Sequence, residues 1–291
     1  MVDIGVELTI KCPAAEVERS MRVLDGSAVR RVWVPDSPGS QWELWTAATI
    51  AAMSTRRIGI GIGVTSPFQR SPAVIAHAAA TLDHLSQGRI SLSMGRGMRP
   101  FLKSIGLEGS DAGVAEGAEL VRRLLAGETV SHQGEAFHFQ DVRLPFGALQ
   151  GRVPILLAAM SERWMEVASD WADGIHTYST SERLLNTAQG WAARAAREGF
   201  RIVTTVAYIE PEDARQRWLQ GMSYAQGLLS LMGITDAAAG AQELAECLTI
   251  RDGDDLAAKV EQLGRLGVSE LMIGYRSPDE LATLCDFVAR L

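Results

Sequence analysis

The chain is poor in cysteine, in positive charge and in long apolar runs. Its three cysteines, Cys12, Cys247 and Cys285, are scattered and odd in number. No spacing among them fits a zinc site or a redox pair, so they read as idle thiols of a reducing compartment. Lys and Arg together number 28 against 35 Asp and Glu, for a net charge of −7. That balance argues against nonspecific nucleic-acid or anionic-membrane binding, both of which need a basic surface. It leaves an anionic small molecule open, because an acidic protein can still carry a local basic pocket. No apolar stretch approaches the ~20 residues of a membrane span. Met1 is followed by Val2-Asp3-Ile4 without the basic start of a signal peptide. The expectation is a cytoplasmic protein with a small-molecule partner, no nucleic acid and no membrane.

Several motifs are also missing. Gly59-Ile60-Gly61-Ile62-Gly63 lacks the GxGxxG spacing, no GK[ST] phosphate loop occurs, and there is no GxSxG elbow. A doubly wound nicotinamide site, P-loop chemistry and a Ser-His-Asp hydrolase are therefore disfavoured. His77 and His84 flank the apolar face of one helix, and His132 and His138 have no partners at metal spacing, so no metal is expected.

What is present is alternation from end to end. Strand patterns run over 4–10, 30–34, 58–64, 90–94, 154–159, 174–178, 202–209 and 268–275. Helical spacing runs over 14–24, 42–53, 72–86, 114–125, 161–171, 184–197, 256–266 and 278–291, with a long uneven helical region over 211–248. Gly88 suits the C-terminal cap of the third helix, and Ser161 suits an N-cap. The stretch 129–142 alternates as a hairpin with Gln133-Gly134 at its turn, an insertion between repeating units. Eight short β-branched strands, mostly followed by helices, predict a (β/α)8 TIM barrel of class α/β with a small hairpin insertion. No linker or repeat interrupts residues 1–291, so one domain is the simplest account.

Such barrels put their chemistry at the carboxyl ends of the strands. Those ends carry Glu7, Asp36, Gly63-Val64-Thr65, Gly95-Arg96-Gly97, Ala158-Ala159-Met160 and His176. Glu7, Asp36 and His176 are the candidates for acid and base work. Each has a plain alternative: an outward carboxylate with a partner, a turn acceptor, and a satisfied core histidine. Three alternating glycines, Gly59, Gly61 and Gly63, imply a close approach by a ligand or by neighbouring atoms in a crowded interior.

The runs Gly63-Val64-Thr65-Ser66-Pro67-Phe68-Gln69-Arg70-Ser71-Pro72 and Ala80-Thr81-Leu82-Asp83-His84-Leu85-Ser86-Gln87-Gly88-Arg89 resemble the luciferase-like monooxygenase superfamily. Within it they look nearest to the coenzyme F420-dependent reductases. Ile4-Gly5-Val6-Glu7, Val32-Trp33-Val34-Pro35-Asp36 and Trp171-Ala172-Asp173-Gly174 agree. The resemblance implies an F420-dependent oxidoreductase that moves a hydride between deazaflavin and a small organic substrate, reducing a C=N or C=C bond of a specialised metabolite. It implies a non-proline cis bond at Gly63-Val64, ring contacts at Asp36 and Thr65, and phosphate contacts at Ala159-Met160-Ser161. Glu7 would help protonate or stabilise the substrate. Arg70, Arg96, Arg99 and Lys103 could attract the acidic tail of the cofactor. The chain differs from the family at Met160 and Glu162, beside the phosphate contacts, while Ser37, where methanopterin reductases tend to carry histidine, and the shorter region 214–253 point away from methanopterin as substrate. The alternative within the superfamily is an FMN-dependent monooxygenase fed by a partner reductase. Family members commonly pair through barrel helices, so a homodimer or higher homo-oligomer is expected, with Trp42, Leu44, Trp45 and Ile50 as one candidate patch.

Overall fold

The computed structural model describes residues 2–8, 12–36, 42–209 and 237–291. In chain order it runs β1 (Asp3–Leu8), α1 (Ala14–Gly26), β2 (Arg31–Val34), α2 (Leu44–Ser54), β3 (Gly59–Thr65), α3 (Pro72–Ser86) and β4 (Ile90–Met94). Two helices follow, α4 (Arg99–Ser104) and α5 (Asp111–Leu125), then the hairpin β5 (Val130–Gln133) and β6 (His138–Val142). The remainder is β7 (Ile155–Ala158), α6 (Glu162–Trp171), β8 (Gly174–Thr177), α7 (Glu182–Ala195), β9 (Arg201–Tyr208), α8 (Ala237–Leu248), β10 (Thr249–Ile250), α9 (Gly253–Arg265), β11 (Glu270–Tyr275) and α10 (Pro278–Val288).

The chain divides into two compact units. One comprises Leu8–Gly26 and Arg31–Ala158; its strands β2, β3, β4 and β7 pair in parallel in that order. The other comprises Met1–Glu7, Ser27–Arg30 and Ala159–Leu291; in it β9 lies between β8 and β11, and β11 neighbours β1. The short β10 continues the β8 side of β9 at Ala207 and Tyr208, beyond Thr204 where β8 ends. β4 and β11 are buried at every position, the mark of parallel strands covered on both faces.

Helix boundaries follow their caps. Ser110 accepts from Gly113 N, so α5 starts three residues before the apolar pattern does. At the end of α3 Gln87 takes the left-handed conformation expected of Gly88, which follows with a positive φ of its own. The helix α4 and the strand β10 were not expected; both are too short for a periodic signal. The hairpin is present as expected and hangs on Glu116 of α5, which accepts from His132 Nε2 (2.9 Å), Ala136 N (3.1 Å) and Phe137 N (2.9 Å). Ser37 and most of the region 211–248 lie outside the described residues.

Gly61 of β3 answers to packing. Trp33 of β2 is fully buried and pairs in register with Gly61, where a Cβ would stand 2.2 Å from its indole. Gly61 is thus the space for Trp33 rather than for a ligand.

Candidate active site

The first cluster lies where β3 ends. The β3–β4 register breaks between Ile62 and Thr65, and the Gly63-Val64 peptide within the break is cis, as the resemblance implies. Gly63 has φ 144°, and a Cβ on it would stand 2.5 Å from Ser93 O, so no other residue fits there. Thr65, fully buried, donates from Oγ1 to Asp36 Oδ2 at 2.8 Å. Arg70 donates to the same oxygen at 2.5 Å and, through its other Nη, to Glu43 Oε1 at 2.7 Å. Glu43 caps α2 by accepting from Thr46 N at 2.9 Å. Its burial raises its pKa, but backbone N–H donors and Arg70 outweigh that and hold the carboxyl below its ordinary value. Ser66 Oγ donates to Arg96 O at 2.9 Å, tying this turn to the exit of β4.

These pairings revise the reading of the four cations. Arg70 is engaged by two carboxylates, and Arg96 by Asp111 at 3.0 Å. Arg99 and Lys103 are exposed and have no ion-pair partner among the described residues. The Asp36–Arg70–Glu43 chain is what sequence reading missed. Arg70 was in view as part of the motif, but nothing in one dimension says which charge it meets.

In the other unit desolvation dominates at the two candidate titratable residues, Glu7 and His176. Glu7 is partly buried, and desolvation pushes its carboxyl up to about 7. Among the described residues no charge or hydrogen bond offsets that shift. Its Oε2 lies close to Gly274, where a Cβ would stand 3.6 Å away. His176 is enclosed: Nε2 meets Thr205 Oγ1 at 3.0 Å, and the ring stacks on Tyr178 with centroids 5.3 Å apart. Burial pulls its pKa down to about 4, against the smaller upward pull of Glu270. At neutral pH it is an uncharged imidazole, which fits the core-histidine alternative.

The phosphate candidates sit in this unit too. Ala159 N donates to His176 O at 2.9 Å and the residue is fully buried. Met160 Sδ accepts from Tyr178 N at 3.2 Å and from Thr177 Oγ1 at 3.3 Å. Ser161 stands at the N-cap of α6, but its side chain makes no capping bond. The first-turn N–H groups of α6 lack that partner, and the helix dipole favours an anion there. The uncapped first-turn donors of α6 suit a cofactor phosphate, whereas Ala159 N is already committed to His176 O. Among the described residues no cluster of three or more His, Cys, Asp or Glu could hold a metal ion.

Parallel strands alternate with helices in both units, and the fold class is the (β/α)8 barrel that the solved structures named next share. A solved tetrahydromethanopterin reductase from Methanopyrus kandleri, coenzyme F420-dependent, superimposes with a TM-score of 0.83 at 20% identity, over 99% of this chain and 97% of that one. The FMN-bound oxygenating component of 3,6-diketocamphane monooxygenase from Pseudomonas putida gives a TM-score of 0.72 at 14% identity, over 99% and 96%. The 5,10-methylenetetrahydromethanopterin reductase of Archaeoglobus fulgidus is 30% identical over 173 residues, 59% of this chain and 51% of its own. The chain thus spans about half the length of that relative, and 52% of a reductase of the same name from Methanolobus tindarius. The luciferase-like monooxygenase family model matches residues 3–266, and the chain belongs to that family.

Proposed function

We propose that this chain is a coenzyme F420-dependent oxidoreductase acting on a small organic substrate at a C=N or C=C bond. The observation that carries the reading is the Asp36–Thr65 pair beside the Gly63-Val64 turn, at the positions the family resemblance gives to deazaflavin contacts. The similarity to F420-dependent reductases supports it. When bound, the deazaflavin supplies or accepts a hydride. Asp36 and Thr65 orient the ring, and Gly63 and Val64 support it. The start of α6, at Met160 and Ser161, takes the phosphate, while Ala159, its N–H held by His176 O, supports that turn from the interior. Arg99 and Lys103, with Arg96 beside them, favour an acidic tail. Glu7, with a pKa near neutrality, holds a proton for the substrate. His176 acts only by seating the Tyr178 ring.

The second reading is a two-component FMN monooxygenase, favoured by the FMN-bound neighbour and by a 32% identical stretch of limonene 1,2-monooxygenase from Rhodococcus erythropolis. Side-by-side titration with F420 and FMN, read by tryptophan fluorescence, separates the two. Micromolar F420 binding with weak FMN binding supports the first. The reverse preference, with oxygen-dependent turnover of reduced FMN, replaces it. A homodimer belongs to either reading. Exposed Met53 on α2 and Val74 and Leu85 on α3, and a groove of about 550 Å³ lined in part by Trp45, His77 and Leu144, give it an apolar surface. Leu44 is not part of that surface; it is buried in the core. Light scattering of the purified protein tests it.

A further inference from the structure

Arg70 sits in the turn between β3 and α3, where its own N–H and that of Gln69 both donate to Ser66 O, at 3.3 and 3.2 Å. The turn fixes where its side chain starts. Its two Nη atoms then grip carboxylates on different elements, Asp36 after β2 and Glu43 at the start of α2. Glu43 is itself anchored by Thr46 through both N (2.9 Å) and Oγ1 (3.1 Å). The guanidinium is therefore held at one end by a helix terminus and holds Asp36 at the other. A planar fork with fixed nitrogen spacing does this where a flexible ammonium cannot. On Asp36, Oδ2 accepts from both Thr65 and Arg70, while Oδ1 accepts from neither.

We propose that Arg70 is a positioning residue: it locks Asp36 through Oδ2 and so keeps Oδ1 available to accept from the imide N–H that deazaflavin and flavin rings carry. The inference rests on the reading of Asp36 as a ring contact. It assigns Arg70 to the ring end of the site and removes it from the set of cations that attract the tail. Glu43 becomes the outer anchor, acting on the ring only through Arg70 and Asp36.

The test is a double-mutant cycle read by cofactor affinity and by the visible absorption band of the bound ring. Full-length wild type, Asp36→Asn, Arg70→Met and the double variant are titrated with F420 and with FMN. Each single substitution is expected to weaken binding about tenfold and to shift the bound band, and the double variant to bind no worse than the weaker single. Arg70→Lys keeps the charge without the fork, and its loss is expected to lie between wild type and Arg70→Met. Unfolding curves of all variants check that each is folded. If Arg70→Met does not fold, Arg70→Lys and Glu43→Gln carry the cycle against Asp36→Asn. Losses that multiply to about a hundredfold in the double variant, or Arg70 variants that bind as wild type does, overturn the proposal. Wild type that binds neither cofactor defeats the cofactor reading first, and the proposal with it.

Discussion

The two units keep polar groups at their strand ends by opposite means. In the unit containing β2 to β7, Asp36 is nearly enclosed yet paired, with Arg70, Thr65 and Glu43 completing a chain of charge-assisted bonds. In the unit containing β8 to β11, desolvation is the largest influence on Glu7 and His176, and both shift toward their neutral forms. Pairing preserves charge and fixes geometry; desolvation removes charge and moves a pKa toward the range where protons are exchanged. One arrangement suits holding a ring, the other suits handling a proton. The glycines differ in the same way. Gly61 is filled by Trp33, whereas Gly274 leaves ordinary contact distance to Glu7.

The sharpest way to break this comparison is Gly61→Ala. The added carbon meets the buried, immobile indole of Trp33, and overpacking of this kind should cost about 3 kcal/mol. Denaturant unfolding checks it; a loss under about 1 kcal/mol means that the β2–β3 interior is looser than described.

The next effect depends on pH. Glu7 has a folded pKa raised from 4.5 to about 7, so its contribution to stability is full below pH 4.5 and is lost as pH rises through about 7. His176 runs the other way. Its pKa is lowered from 6.5 to about 4, so its contribution is present above pH 6.5 and is lost as pH falls through about 4. Between these limits the two slopes oppose each other. Glu7→Gln should therefore gain about 2 kcal/mol on wild type between pH 5 and pH 8. His176→Asn should gain on wild type as pH falls from 6.5 to 4. Stability differences that stay constant across this range would show that neither group is desolvated in the folded state.

Glu43→Gln comes third. It loosens the outer end of the Arg70 chain and weakens the α2 cap, for about 0.5 kcal/mol, since the carboxylate is half exposed. Thermal unfolding at low and high salt reads it; a loss that ignores salt points to the cap alone. The smallest effect is Gly274→Ala, within about 0.5 kcal/mol at pH 6, because the new methyl meets Glu7 Oε2 at ordinary contact distance. A loss as large as that of Gly61→Ala would erase the contrast between the two glycines.

Much of this was legible in one dimension. The strand–helix alternation, the hairpin with its turn after Gln133, and the cis bond at Gly63-Val64 all have local or motif signatures. The partners of those residues do not. Arg70 reads as a free cation near a mouth, yet its charge is spent on Asp36 and Glu43, 34 and 27 positions away. Gly61 reads as room for a ligand until β2 is laid against β3 and Trp33 falls on it. His176 reads equally as a strand-end base or a core histidine, and only the fold supplies its neighbours Tyr178 and Thr205.

Apolar periodicity, turn residues and caps act over a few residues, and so the sequence by itself determined the elements, their order and the strand ends where chemistry is placed. Charge state, accessibility and the owner of each hydrogen bond depend on distances between residues far apart in the chain. Those were decided only when parallel pairing brought Trp33 onto Gly61, Arg70 onto Asp36 and Gly274 close to a desolvated Glu7, because desolvation and ion pairing act through space and not along the backbone.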